Sequence, residues 1–222
     1  MTDRPIIFSA PMVRALLGGR KTQTRRVLKH PLKIDIGLAP SVQTDNPVWI
    51  QFDHPKGGPL TCVRWPYAIG DRLWVREGWQ HWPPNNILAE PKRPRIYRAT
   101  DAEPPASEIP DWAWRGDHKF RWHSPIHMPR WASRLTLTVT DVRVQRLQDI
   151  SEEDAMAEGI HRNTSSWFPI PGVDGSGTTA RAAFAGLWNS IHGPDAWNTN
   201  PWVTAITFDV KHRNIDTEEA AS

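Results

Sequence analysis

The chain has 222 residues, 39% apolar and 23% charged, a globular balance that excludes disorder over its whole length. No apolar run approaches the roughly 18 residues of a membrane-spanning helix, and the opening MTDRPIIF carries no signal-peptide core. The single Cys62 excludes an internal disulfide and a cysteine-rich zinc site. These features predict a cytoplasmic protein with no membrane partner. The net charge is only +3, although the pI is about 9.2, so contact with an anionic partner has to come from a local patch. Thirteen tryptophans against two tyrosines, and 21 prolines, about twice the usual share of roughly 5%, are the compositional departures.

In chain order, Ile6–Ser9 is a short apolar run suited to a buried strand. A helix is predicted to start at Ser9 or Ala10, because Pro11 loses nothing in a first turn, and to stop at Gly18-Gly19. A strand follows over Thr22–Leu28. Residues 29–66, rich in proline, are predicted to be irregular. Gly70-Asp71 supplies a turn into a strand in which Leu73, Val75 and Glu77 alternate with Trp74 and Arg76. Residues 80–125 form a second Trp/Pro-rich insertion, with only Arg95–Ala99 strand-like.

The clearest period-two pattern is Arg134–Leu147, where Leu135, Leu137 and Val139 oppose Thr136, Thr138 and Thr140. The alternation resumes after Asp141, which predicts a long or bulged strand. Ser151, followed by crowded carboxylates and closed by Gly159, predicts a short helix over 151–158. Residues 161–179 read as a Ser/Gly/Thr loop. Within it GVDGSG (Gly172–Gly177) is no dinucleotide fingerprint, because no clear strand precedes it. Ala180–His192 is an amphipathic helix with Phe184, Leu187, Trp188 and Ile191 inward, Trp202–Val210 is the last strand, and residues 214–222 are a polar tail expected to fray. The sum is an α+β chain: one domain over 1–213, a small mixed β-barrel with about three short helices, enlarged by insertions at 29–66, 80–125 and 161–179.

The densest unusual chemistry is GGRKTQTRR (Gly18–Arg26). In an extended strand Lys21 and Arg25 share one face, and Thr22, Thr24 and Arg26 share the other. Spacing alone is equally served by a solvated basic edge strand that discourages aggregation. The pattern GxKxxxxR at Gly19, Lys21 and Arg26, with a later strand and a helix ending in AEG, resembles the ASCH family. Its members are PUA-like barrels akin to RNA-binding PUA domains. The common family motif has Glu three residues after the lysine, where this chain has Thr24. That departure is similar to a subgroup of small bacterial amidohydrolases acting on N4-acetylcytidine, whose motif reads GRKTxTxR. GDRLWVRE (Gly70–Glu77), IHMPRWASR (Ile126–Arg134) and DISEEDA (Asp149–Ala155) also resemble phage- and prophage-encoded ASCH proteins. The likeness covers roughly residues 5–28, 69–79, 126–160 and 180–210, leaving the insertions outside it.

The resemblance implies a catalytic set of Lys21, Thr24 and Glu158, with no cofactor and no metal. It implies a nucleoside or nucleic acid as partner. The expected activity is removal of an acyl group from the exocyclic amine of a cytosine-type base. The alternatives are a non-catalytic RNA- or DNA-binding module, or a ribonuclease, using the same basic cleft. The chemistry is coherent, since a threonine hydroxyl needs an adjacent base, and a desolvated lysine beside Arg25 and Arg26 has its ammonium disfavoured. Glu158 shares its helix with Glu152, Glu153 and Asp154, which favour the helix N-terminus without catalysis, and only its place beside Gly159 sets it apart.

Arg26, Glu77, His127, Arg130 and Trp131 are the further candidate contacts to substrate. Glu77 also reads as half of a buried ion pair with Arg26 or Lys21. His123 and His127 have zinc-like spacing, but Pro125 and Pro129 oppose the helix such a site needs. His127, Arg130 and Trp131 serve packing against the barrel as readily as a base or phosphate. Trp74, Trp188 and Trp202 fall on apolar faces of predicted elements. Trp112, Trp114 and Trp122, beside Arg115, Lys119 and Arg121, either stack bases or form local cores under long loops.

Overall fold

A computed structural model of the chain describes residues 1–28, 41–43, 49–53, 59–81, 95–101, 122–162, 167–168 and 178–217. Most of the Trp/Pro-rich insertion, including Trp112, Trp114, Arg115, Lys119 and Arg121, lies outside these residues, as does Gly172–Gly177.

The chain is a mixed α+β protein dominated by strands. Strand β1 (Asp3–Ile7) leads into helix α1 (Ala10–Leu17), with Ser9 at the N-cap position, its side chain making no capping hydrogen bond, and Pro11 in the first turn. Gly18 and Gly19 stop it, Gly19 at φ +67°, a backbone region that costs glycine little. Strand β2 (Gln23–Val27) follows. The segment expected to be irregular instead carries β3 (Ser41–Gln43), β4 (Trp49–Asp53) and β5 (Pro59–Arg64) in one antiparallel sheet. Pro59 opens β5, and Ile50 buries itself beside Leu28. Then come β6 (Arg72–Arg76), β7 (Trp79–His81) and β8 (Arg95–Tyr97), the last two paired with each other.

Strand β9 (Thr136–Arg146) is long and irregular where its alternation stumbles. Thr207 pairs with Asp141 and Phe208 with Val139, so Thr140 is the extra residue. Helix α2 (Glu152–Ala157) is one residue shorter at each end than the span 151–158: Ser151 is its N-cap, accepting the Asp154 N–H, and Glu158 its C-cap. The expected loop at 161–179 contains the short pair β10 (His161–Arg162) and β11 (Trp167–Phe168). Helix α3 (Ala180–His192) and strand β12 (Trp202–Lys211) close the pattern.

The main sheet runs β1-β6-β9-β12-β2, parallel between β1 and β6 and antiparallel elsewhere. One core lies between this sheet and α1, built on Phe8, Leu16, Leu137 and Phe208; a second joins α2 and α3 to it through Leu147, Phe184, Leu187 and Val203. Strand β2 forms one edge of the sheet, beside both. Trp74 and Trp188 are buried as their faces predict, and Trp202 is half-buried beneath Arg146. The presumed tail is not loose at its start. Asn214 donates to the carbonyls of Arg130 and Ser133, and Ile215 is fully buried. Among the described residues no helix is long and apolar enough to cross a membrane.

Candidate functional site

The turn after α1 delivers Lys21 to the end of α2. Its N–H bonds the Ala15 carbonyl, the next residue's N–H bonds the Ala157 carbonyl, and Lys21 forms a single β-bridge with Glu158. That pairing carries the lysine side chain to the end of α2, where carbonyls take partners from outside the helix. Its Nζ donates to the Glu158 backbone carbonyl at 2.9 Å and to Glu158 Oε2 at 2.7 Å. The lysine side chain is 0% exposed. Burial strips water from the ammonium and pulls its pKa below the ordinary lysine value; Glu158 opposes this, while Arg26 and Arg25 reinforce it.

Arg25, on the same strand face as Lys21, is equally buried. It donates to Glu158 Oε1 at 3.1 Å, to Asp154 Oδ2 at 2.7 Å and to the Gln23 side-chain carbonyl. Burial would raise the Asp154 carboxyl, but Arg25, with Arg143 and Gln23, holds it below the usual carboxylate value. Arg26 donates to the Ile7 carbonyl at 2.8 Å. Its guanidinium and the Lys21 amine both lie over the Phe8 ring, at 5.4 and 5.7 Å from its centre.

Against this cluster opens a cavity of about 260 Å³. Thr24, Arg25, Arg26 and Glu158 line its polar side, and Phe184, Leu187 and Trp188 from α3 its apolar side. Residues of opposite parity, Thr24 and Arg25, both reach it because β2 is an edge strand and the cavity wraps that edge. The volume lies just below the usual range of small-ligand pockets, so the space suits a ligand of nucleobase or small-nucleoside size. The Thr24 hydroxyl makes no hydrogen bond among the described residues, and Lys21 and Thr24 are not bonded to each other.

The other candidate contacts stand elsewhere. Glu77 is buried and bound in two places to Arg134, at 2.8 and 3.0 Å, rather than to Arg26 or Lys21. The ion pair is therefore present with a different partner, one that lies 57 positions away and reaches Glu77 through the β6–β9 pairing. Burial pushes the Glu77 carboxyl above its ordinary value, with Arg134 opposing. Arg130 is engaged by Asp3 and Asp216. Trp131 packs edge-on against Trp79 and stacks on His81. His127 is exposed in a one-turn segment after Ser124. None of these four lines the cavity. No group of three or more potential metal ligands occurs among the described residues.

Sequence reasoning placed Arg25 beside Lys21 but gave it no partner, and it read Asp154 as a first-turn acid only. The signal was the shared face of Lys21, Gln23 and Arg25 combined with an acid at each end of the helix. No family model, curated protein or solved structure matches the chain.

Proposed function

We propose that the cavity hydrolyses an acylated exocyclic amine on a cytosine-type nucleoside or modified base, and that the fold is a PUA-like barrel of the ASCH type. The observation that carries the reading is a fully buried lysine amine, itself behind the cavity wall, 2.7 Å from the Glu158 carboxylate, which lines the cavity together with Thr24. The barrel reading is supported by Arg26 of β2 reaching the Ile7 carbonyl of β1, since these are the two edges of the main sheet.

When Lys21 gives up its proton, the two N–H groups of the neutral amine still satisfy both hydrogen bonds to Glu158, and its lone pair is left to act as a base. In the proposed cycle that lone pair takes the Thr24 proton as the hydroxyl oxygen attacks the acyl carbon. The C–N bond then breaks, and the proton passes from Lys21 to the departing exocyclic amine. Water, deprotonated by the same lysine, attacks the threonyl ester; the ester C–O bond breaks, Lys21 returns that proton to the Thr24 oxygen, and the carboxylic acid leaves. Arg25 and Arg26 supply positive charge for the developing oxyanion, and the apolar face of α3 excludes water.

The test is release of cytidine from N4-acetylcytidine by the purified protein. Lys21→Ala and Thr24→Ala are expected to lower kcat/KM by about 10²-fold or more, and Thr24→Ser to retain measurable turnover. Absence of turnover, together with RNA binding that weakens steeply with salt, replaces catalysis with a nucleic-acid-binding role.

A further inference from the structure

Behind the cavity the buried pair continues as a row of alternating charge. Lys21 meets Glu158 at 2.7 Å, Glu158 meets Arg25 at 3.1 Å, and Arg25 meets Asp154 at 2.7 Å. Asp154 then meets Arg143 at 3.2 Å, and Arg143 meets Asp141 at 3.0 Å. The row starts at a fully buried amine and ends on exposed side chains of β9. Within it the Glu158 carboxylate is divided, with Oε2 given to Lys21 and Oε1 to Arg25. A guanidinium is a rigid plane, so the place where Arg25 is anchored limits how Glu158 can turn. Asp154 provides that anchor.

We propose that Asp154, which does not line the cavity, is a positioning residue for the Lys21–Glu158 pair: by holding Arg25 it keeps one carboxylate oxygen of Glu158 on the lysine amine. Only the kinetic part of the test rests on the hydrolase reading. Asp154→Asn preserves shape, and the backbone N–H that Ser151 accepts is untouched. Arg25 then has Glu158 as its one ionised partner and draws it away from Lys21. The charged and titratable groups around the amine are Glu158 and Asp154 at α2, Arg25 and Arg26 on β2, Arg143 and Asp141 on β9, and His192 on α3 at the cavity wall. Removing one negative charge from this set disfavours the ammonium, whereas removing the Arg143 charge favours it.

The experiment uses the full chain with isotope-labelled lysine. The Lys21 Cε signal is identified by its loss in Lys21→Met and titrated in the wild type, Asp154→Asn, Asp154→Glu and Arg143→Gln. The Lys21 midpoint is expected to fall by about one pH unit in Asp154→Asn, to return toward the wild type in Asp154→Glu, and to rise by less in Arg143→Gln, whose charge is screened. The low-pH limb of kcat/KM should move with the midpoint, kcat changing and KM staying within about twofold. Equal midpoints in all four proteins, or shifts of the same sign in Asp154→Asn and Arg143→Gln, overturn the assignment. If Asp154→Asn does not fold, the Arg143→Gln midpoint decides alone. Separated midpoints without turnover of any acylated cytidine sink the hydrolase reading and leave the positioning role standing. Turnover with unmoved midpoints does the reverse.

Discussion

An ammonium taken fully out of water costs several kcal/mol unless its partners return that energy, and Lys21 is in this position with Glu158 as its ionic partner. Replacing Lys21 leaves Glu158 Oε2 without its partner, although Arg25 still holds Oε1. Lys21→Met is therefore expected to destabilise the fold by about 3 kcal/mol, and adding Glu158→Gln to restore part of that loss, so the double variant falls short of the sum. Urea unfolding of the four proteins measures this, and strict additivity would refute the coupling. The pH dependence has a definite sign. Because the folded pKa of Lys21 lies below its ordinary value of 10.5, the unfolded chain binds more protons between the two, and stability gained from this group rises with pH across that window. Asp154 acts in the acid range. Its folded pKa lies below 3.8, so its contribution is complete above that value and is lost as pH falls through the folded pKa.

At the scale of the element, α2 is a six-residue helix with a task at each end. Ser151 caps its start by accepting the Asp154 N–H at 3.0 Å, and its first-turn Glu152 reaches across to accept the first N–H of α3. Its last turn presents Glu158, followed by Gly159 at φ +102°, a conformation that a side chain resists. Ser151→Ala and Gly159→Ala are each expected to cost about 1–2 kcal/mol in urea unfolding. Their kinetic effects should separate, because strain at Gly159 displaces the neighbouring Glu158, whereas loss of the cap frays the far end. A larger drop in kcat for Gly159→Ala than for Ser151→Ala checks this, and equal drops would deny the helix end any special role. This helix also marks the boundary of what the sequence disclosed. Its span, the position of Glu158 beside Gly159, the alternation of β9 and the shared face of Lys21 and Arg25 are local patterns of period two or of helix punctuation. The partners of Arg25 and Glu77 are not local: Asp154 and Arg134 reach them across pairings of distant segments, and no spacing in the chain encodes which carboxylate meets which guanidinium. Strands β3 to β5 escaped for a different reason, because prolines between short strands resemble prolines that forbid them.

At the scale of the whole molecule, β1 and the segment 214–216 are bound to the same turn. Asp3 of β1 accepts from Arg72 at 2.8 Å and from Arg130 at 2.6 Å, and Arg130 also holds Asp216. The Asn214 amide donates to the carbonyls of Arg130 and Ser133, and Ile215 beside it is fully buried. Polar composition made residues 214–217 look like part of a frayed tail, and one apolar residue among them reverses that reading. The clasp has a charged part and an apolar part, and physical chemistry weights them unequally. The Arg130–Asp216 pair is half-exposed, so water and salt screen it, and Asp216→Asn is expected to cost less than about 1 kcal/mol. Ile215→Ala removes buried methyl groups and leaves a hole, at an expected cost of about 2–4 kcal/mol. Urea midpoints for the two variants, with unchanged slopes, test the ranking. A neutral Ile215→Ala would mean that the turn at 214–217 rests on the surface of the fold instead of packing into it.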